Sequence, residues 1–363
     1  MKHIPALDGL RAVAIAIVLV SHFGLGHVVP GGFGVTVFFV LSGYLITTIL
    51  RDELVKTGSV DFRQFYLRRV VRIIPPMWFA ILFGLALTSL GLQSRPLEPE
   101  YLWTDLLFLT NYAGSFGMFS GTMIPLWSLD VEEHFYLFFP LLLLATFRRQ
   151  PVLILASICV VVLLLRIALA LEGVPTYYGT HTRIDSILFG CILALWRNPI
   201  DAEPPSRGRH FANLLLAAVL ILPTLLYRDE FFRETVRHSM QGLGLFFAFT
   251  YCIQDRGWIS GILGSVPLRW LAFISYTLYL VHLPVLGATQ MLVEHPVLSI
   301  IVALVVSLAI SQLVRVTIEK PMLRLRKNFE AKRSIYLKDT KVDRLLEAGS
   351  SDNVRTVTFD SQK

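Results

Sequence analysis

Long apolar segments separated by short polar loops run through most of the chain. Ten of these segments predict membrane-spanning helices: 8–27, 30–50, 73–92, 124–147, 151–171, 183–196, 211–227, 240–254, 268–291 and 297–317. A further apolar segment, 102–110, is too short to span and predicts a re-entrant or interfacial piece. The pattern therefore predicts an all-α fold, a polytopic transmembrane helical bundle of about ten spans.

Basic side chains concentrate in every second loop. The loop 51–72 holds six of them, and the segment after the last span is also basic. Because basic loops stay on the cytoplasmic side, this distribution predicts a plasma (inner) membrane protein with both termini cytoplasmic. The loop 228–239 fits less well, since it would carry three arginines outside: Arg228, Arg233 and Arg237.

Composition agrees with a membrane protein and divides the chain in two. Of the 363 residues, 54% are hydrophobic and 16% charged, which predicts a membrane-embedded domain over 1–320 and a polar cytoplasmic tail over 321–363. The net charge of +7 then reports cytoplasmic loops rather than nucleic-acid binding. The three cysteines have no metal-ligand spacing. Without a small-residue cleavage site, the first apolar segment is expected to remain as an uncleaved helix.

The first predicted helix carries two ionisable residues, Arg11 and His22. Eleven residues correspond to about three turns and roughly 16 Å along a helix, so both side chains are expected on one face. A histidine at this depth could be satisfied by packing between helices. The shared face with Arg11 favours a functional role, because ionisable residues inside a membrane are costly, and His22 can take a proton near neutral pH.

Arg69 and Arg72 also share a helical face, and the pair Pro75-Pro76 that follows is expected to mark the start of the next span. Guanidinium groups bind phosphate oxygens in bidentate fashion. Arginines just inside a membrane are more often topology anchors, so this motif by itself is weak.

Two further polar clusters occur within predicted spans. The segment 127–136, W-S-L-D-V-E-E-H-F-Y, places Glu132 and Glu133 near the outer mouth of a helix. The segment 275–284, S-Y-T-L-Y-L-V-H-L-P, places His282 on one face with Ser275 and Tyr279. Either cluster could orient a base or an acceptor hydroxyl. An interfacial aromatic belt and a helix–helix hydrogen bond are the structural alternatives.

In this order, the motifs resemble the acyltransferase-3 family of integral-membrane acyltransferases. The resemblance runs from L-D-G-L-R at 7–11 to I-E-K-P at 318–321, and includes F-F-V-L-S-G-Y-L-I at 38–46 and R-I-D-S-I-L-F-G at 183–190. The family pattern usually has Gln where His134 stands, so His134 is not expected to be catalytic. Some members carry an additional extracytoplasmic SGNH hydrolase-like domain, and this chain is expected to be the stand-alone form.

The resemblance implies transfer of an acyl group, with acetyl expected, from cytoplasmic acyl-CoA to a hydroxyl of a cell-surface glycan or lipid-linked sugar. Arg69 and Arg72, with Arg11, would bind the acyl-CoA phosphates. His22 would act as general base or carry the acyl group briefly. Glu132, Glu133 and His282 are candidates for orienting His22 or the acceptor. No metal is implied, and the expected partners are acyl-CoA, the hydroxyl acceptor and the lipid bilayer.

Two other functions remain open from the residues. One is acylation of a small molecule such as a macrolide by the same site. The other is a proton-linked transporter that uses the intramembrane histidines and glutamates. The chain shows no internal repeat of the kind found in many transporter folds, and the Arg69/Arg72 pair favours the enzyme.

Overall fold

The computed structural model describes residues 4–329 except 117, 119, 120, 204, 256 and 328. Within these residues the chain is helical and contains no strand. Most of the predicted polar tail, from 330 onwards, lies outside the described residues.

Fourteen α-helices make up the described part of the chain. In order they are α1 (Pro5–Val20), α2 (Gly31–Thr57), α3 (Phe62–Ser89), α4 (Leu102–Leu106), α5 (Thr110–Ala113), α6 (Leu126–Thr146), α7 (Pro151–Leu171), α8 (Thr180–Trp196), α9 (Arg207–Leu226), α10 (Glu230–Glu234), α11 (Val236–Gln254), α12 (Trp258–Leu263), α13 (Val266–Leu292) and α14 (Pro296–Val314). Two π-helical turns, Ser21–Leu25 and Arg315–Glu319, continue α1 and α14.

Seven helices of the described residues are long and apolar enough to cross a membrane. They are α1 with its π turn, α2, α3, α7, α9, α13, and α14 with its continuation. The predicted all-α, multi-pass membrane fold is therefore confirmed. Helices α6, α8 and α11 coincide with three further predicted segments but are not among the seven, so the count of about ten spans stays a prediction. Helix α6 is not among the seven because it carries three acidic side chains, Asp130, Glu132 and Glu133.

Helix α2 lies between α1 and α8 and packs against both. Glycines permit its close approach to α8: a Cβ added to Gly43 would lie 2.0 Å from the carbonyl oxygen of Ile187, and one added to Gly190 would lie 2.0 Å from that of Val40. Small residues at such crossings let the backbones meet, which is how helices associate in lipid. Helix α13 packs against α1, α3 and α14. The arrangement brings His22, His282 and the arginines of α3 around one interior.

One local expectation was wrong. Helix α3 begins at Phe62, so Pro75 and Pro76 lie inside it rather than at its start. These prolines cannot donate to the carbonyl oxygens of Val71 and Arg72, four residues earlier. The Tyr276 hydroxyl of α13 donates to the neighbouring Ile73 carbonyl oxygen at 3.0 Å.

The first span continues beyond α1, which ends at Val20, as a π turn that extends to Leu25 and contains His22. π turns occur mostly as single-turn insertions and are frequent at functional sites.

Candidate active site

The two intramembrane histidines contact each other directly. His22 Nδ1 lies 2.7 Å from His282 Nε2. The rings are stacked, with centroids 5.0 Å apart and an interplanar angle of 3°. His282 is completely buried, whereas His22 is exposed. The π turn after α1 and the middle of α13 therefore build one unit, which we call the histidine pair.

The backbone of α13 determines which nitrogen of each ring carries a proton. His282 Nδ1 lies 2.8 Å from the carbonyl oxygen of Tyr279 and 3.2 Å from that of Leu278. A carbonyl oxygen only accepts, so this Nδ1 must donate, and Nε2 of neutral His282 is then an acceptor. His22 must therefore donate from Nδ1. In the neutral pair, Nε2 of His22 is left unprotonated and free to accept a proton.

His22 opens into a cavity of about 260 Å³, here called the histidine cavity. Gly31 at the start of α2 lies beside the free nitrogen of this ring, since a Cβ added there would be 3.9 Å from His22 Nε2. The lining is mainly aromatic and aliphatic and includes Trp127, Tyr177, Tyr178 and Tyr279. The free nitrogen of His22 thus faces a space that could hold part of a small ligand.

A second cavity, of about 310 Å³, contains the arginines that the sequence singled out. We call it the arginine cavity. Arg11 of α1 and Arg69 and Arg72 of α3 all contribute to its wall, together with Glu132 of α6. Besides Glu132, three other carboxylates interact electrostatically with these arginines: Asp8 with Arg11, Glu133 with Arg69 and Glu319 with Arg72. The site therefore combines guanidinium groups with carboxylates, and its guanidinium groups are suited to binding an anion that enters the cavity.

The arginines are held in different ways. The Arg69 guanidinium lies over the rings of Phe65 and Tyr136, at 5.8 and 5.2 Å from their centroids. Its Nε atom is buried without a hydrogen-bond partner. Arg72 is exposed at the cavity. The rings restrict Arg69 by cation–π contact, whereas Arg72 is free to follow a ligand.

Glu132 and Glu133 lie with the arginines rather than with the histidine pair. Glu132 Oε2 accepts a hydrogen bond from the Tyr136 hydroxyl at 2.7 Å. One oxygen of Glu133 is buried without a hydrogen-bond partner. Among the hydrogen bonds of the described residues, none joins either glutamate to His22, and the partner of His22 is His282. The predicted role of the glutamates in orienting His22 therefore gains no support from geometry.

The two cavities share a wall. Val35 of α2 and Tyr279 of α13 line both of them. The Tyr279 hydroxyl is 2.7 Å from Ser128 Oγ and 3.0 Å from the carbonyl oxygen of Pro125. Its ring lies 5.9 Å from that of His282 and 6.3 Å from that of Phe38. Tyr279 is thus the partition between the arginine cavity and the histidine pair.

A buried ionic network lies behind the histidine cavity; two of its residues were named from the sequence only within the motif 183–190, and Arg166 was overlooked. Arg166 forms a bidentate pair with Asp185 at 2.9 and 2.7 Å, and both side chains are completely buried. Arg183, also completely buried, contacts His238 Nε2 at 3.1 Å and Thr36 Oγ1 at 3.2 Å. Arg166 lies in the middle of a predicted span. The rule that drew attention to His22, that an ionisable residue in a span is costly, would have found it.

The bundle is embedded in a membrane, and a free imidazole nitrogen faces one of its two adjoining cavities. Such a site is suited to transferring a group between two substrates inside the membrane. The family model described as an acyltransferase domain, that of acyltransferase-3, matches residues 4–316. The chain therefore belongs to the acyltransferase-3 family, and it is a multi-pass membrane protein.

Curated relatives agree with this assignment. The chain is 31% identical over 325 residues to the peptidoglycan O-acetyltransferase OatA of Listeria monocytogenes, covering 81% of this chain and 51% of the relative. It is 32% identical over 361 residues to the putative peptidoglycan O-acetyltransferase YrhL of Bacillus subtilis, covering 88% and 55%. It is 27% identical over 307 residues to the O-acetyltransferase OatA of Staphylococcus aureus, covering 78% and 51%. The chain thus spans about half the length of these relatives. No solved structure gives a significant match.

Proposed function

We propose that the protein is a membrane-bound O-acyltransferase that moves an acetyl group from acetyl-CoA to a hydroxyl group of a cell-surface glycan. The observation that carries the proposal is the histidine pair, in which His282 fixes the tautomer of His22 so that its Nε2 is a free base. The names of the relatives, peptidoglycan O-acetyltransferases, support acetyl as the transferred group and a glycan as the acceptor.

The arginine cavity is the proposed donor site. CoA carries several phosphate groups, and guanidinium groups are suited to binding them through charge-assisted, bidentate hydrogen bonds. Arg11, Arg69 and Arg72 would hold these phosphates, with Arg72 the most accessible of the three. The cavity is large enough for one arm of such a ligand. The basic loop 51–72 supports a cytoplasmic position for this end of the bundle.

The thioester arm would extend from the arginine cavity past Tyr279 to the histidine pair. There His22 Nε2 would accept the proton of the acceptor hydroxyl as its oxygen attacks the thioester carbonyl carbon. The tetrahedral intermediate would collapse with cleavage of the C–S bond, and the departing thiolate would take the proton from the His22 imidazolium. His282 would stabilise that imidazolium through the hydrogen bond from His22 Nδ1. The product is an O-acetyl ester.

A radiolabel assay tests the proposal. The full chain, purified in detergent, would be incubated with acetyl-labelled acetyl-CoA and oligosaccharides prepared from peptidoglycan. Labelled, alkali-labile ester on the oligosaccharide is expected with the wild-type protein and not with His22→Gln. Label recovered on His22 after a rapid quench in neutral denaturant would show that the acetyl group passes through an acyl-histidine instead of being transferred directly. Unconsumed acetyl-CoA with every acceptor would contradict the enzyme and favour a transporter.

The acceptor class is tested in cells. Mass spectrometry would compare surface glycans from cells that contain the gene with those from cells that lack it. Glycan O-acetyl groups are expected to depend on the gene and to disappear with His22→Gln. An unchanged glycan together with an acetylated small molecule in the medium would contradict a glycan acceptor.

A further inference from the structure

Three aromatic side chains form a continuous wall in the histidine cavity, here called the aromatic wall: Trp127, Tyr177 and Tyr178. The Trp127 ring lies 5.2 Å from each tyrosine ring, and the two tyrosine rings are 4.9 Å apart at 80°. Both contacts of Tyr178 are edge-to-face, and the Trp127–Tyr177 contact is tilted at 50°. Together these contacts restrict the orientation of all three rings. The wall is therefore a rigid apolar surface beside the proposed base.

The start of α2 packs against one edge of this surface. A Cβ added to Gly32 would lie 2.3 Å from the Tyr177 hydroxyl, so the glycine leaves room for the ring in this position. Burial raises the pKa of the Tyr178 phenol, which lies in the loop before α8. Its hydroxyl therefore stays protonated and carries no negative charge. Flat, uncharged aromatic faces suit a sugar ring, whose C–H groups pack on them.

Two buried cations lie behind the wall. The Arg183 guanidinium is 5.3 Å from the Tyr177 centroid and 5.5 Å from the Trp127 centroid. The Arg237 guanidinium is 6.0 Å from the Tyr177 centroid, and its side chain is 7% exposed. The Nε atoms of both arginines are buried without hydrogen-bond partners. Neither arginine forms an ion pair with a carboxylate among the salt bridges of the described residues.

The nearby carboxylates are engaged elsewhere. Asp185 pairs with Arg166. Glu234 accepts hydrogen bonds from the backbone and hydroxyl of Thr176, both at 2.8 Å. Both carboxylates still interact electrostatically with the two arginines, Asp185 with Arg183 and Glu234 with Arg237. Counted with Arg166, three arginines against two carboxylates leave positive charge in excess behind the aromatic wall, in surroundings of low dielectric constant where its field reaches further than in water. Burying a charge that is only partly compensated is costly, which favours a functional role for this positive field.

We propose that the aromatic wall binds the acceptor sugar, and that Arg183 and Arg237 behind it select a sugar that carries a negative charge. The inference rests on the proposed function, because it assumes that the acceptor enters the histidine cavity. It goes further by naming the acceptor as an acidic sugar. The charge could be a carboxylate on the sugar itself or the phosphate of a lipid-linked precursor.

Binding experiments separate this inference from the catalytic proposal. They use the full chain with His22→Gln, purified in detergent, so that no turnover is needed. The probes are chitotetraose, which is neutral, a hyaluronan tetrasaccharide, which carries carboxylates, and N-acetylglucosamine 1-phosphate. At least one acidic probe is expected to bind about tenfold more tightly than chitotetraose, and which one identifies the source of the charge. Equal binding of the acidic and neutral probes would overturn the proposal even if acetyl transfer to another acceptor is observed.

Variants of the wall and of the cation behind it provide the second test. Tyr178→Ala is expected to weaken binding of the acidic probe by about tenfold, the scale of one aromatic contact. Tyr178→Phe should weaken this binding by less. Arg237→Gln should weaken binding of the acidic probe and leave binding of chitotetraose unchanged. Arg237→Lys, which keeps the charge, should keep the preference for the acidic probe. Arg197→Gln is the matched control, because Arg197 also lies over a ring, that of Trp196, at the other end of α8. Equal losses for acidic and neutral probes in Arg237→Gln would show a merely structural role and overturn the selection by charge.

Discussion

Nδ1 of His22 and Nε2 of His282 lie 2.7 Å apart, although 260 residues separate them in the chain. Since His282 donates its own Nδ1 proton to the backbone of α13, this single contact decides which nitrogen of His22 is free.

Replacement of His22 tests the proposed base. General-base catalysis typically contributes about 10²–10⁴ in rate, so His22→Ala should reduce acetyl transfer to background. His22→Gln can form a hydrogen bond but cannot take the proton, and it should be equally inactive. Both variants should insert into the membrane normally, which immunoblots of the membrane fraction will check. Substantial transfer by His22→Gln would reduce His22 to a structural hydrogen bond.

His282 is expected to position His22 without touching either substrate. His282→Leu removes the acceptor of the His22 Nδ1 proton, so kcat should fall by about 10²-fold while the KM for acetyl-CoA stays unchanged. His282→Gln, which keeps an acceptor oxygen, should recover part of the rate. Steady-state kinetics of the purified variants will show this. Equal activity of the leucine variant and the wild type would show that the contact between His22 and His282 is not needed for catalysis.

The arginine cavity makes a prediction about donor affinity. Hydrogen bonds to charged groups contribute about 1.5–3 kcal/mol each, so Arg69→Ala or Arg72→Ala should raise the acetyl-CoA KM about tenfold or more. Lysine should rescue only in part, because it lacks the planar fork. Arg68→Ala is the matched control, since Arg68 bonds to Gln64 on its own helix instead of lining the cavity. A wild-type KM in both alanine variants would make these residues topology anchors.

Tyr279 is expected to separate the thioester of acetyl-CoA bound in the arginine cavity from water in the histidine cavity, until the thioester arm passes Tyr279. Tyr279→Ala joins the two cavities and should raise acceptor-independent hydrolysis of acetyl-CoA relative to transfer. Tyr279→Phe keeps the ring and loses only the hydroxyl contacts to Ser128 and Pro125, worth about 1 kcal/mol. Release of CoA thiol, measured with and without acceptor, gives the ratio. An unchanged ratio in the alanine variant would contradict the partition.

The orientation of the bundle is tested by cysteine labelling in intact cells. Both termini are predicted to be cytoplasmic, so a cysteine at Ser350, in the tail beyond the described residues, should resist an impermeant maleimide. A cysteine at Glu172, exposed after α7, should react. The parent protein serves as the blank: Cys159 and Cys191 are buried, and labelling of the half-buried Cys252 is measured there and subtracted. Labelling at Ser350 would place the arginine cavity on the wrong side for acetyl-CoA.

The sequence by itself determined the class of fold and most of the polar residues of the site. A helix in lipid must satisfy its backbone internally and face its apolar side chains outward, so the spans and their costly ionisable residues are visible in a single chain. Arg11, His22 and His282 stood out for this reason, whereas Arg69 and Arg72 stood out as a pair on one helical face suited to phosphate. The aromatic residues that complete the site did not, because tyrosine and tryptophan are common at membrane interfaces.

Only the tertiary structure decided which of these residues act on one another. The sequence offered Glu132, Glu133 and His282 as partners of His22, and the packing of α13 against α1 selected His282. The close crossing of α2 and α8 brought Arg183 behind the wall formed by Trp127 and Tyr177. Periodicity assigns a residue to a face of its own helix. Which helix that face meets depends on contacts between segments far apart in the chain, and these form only when the bundle packs.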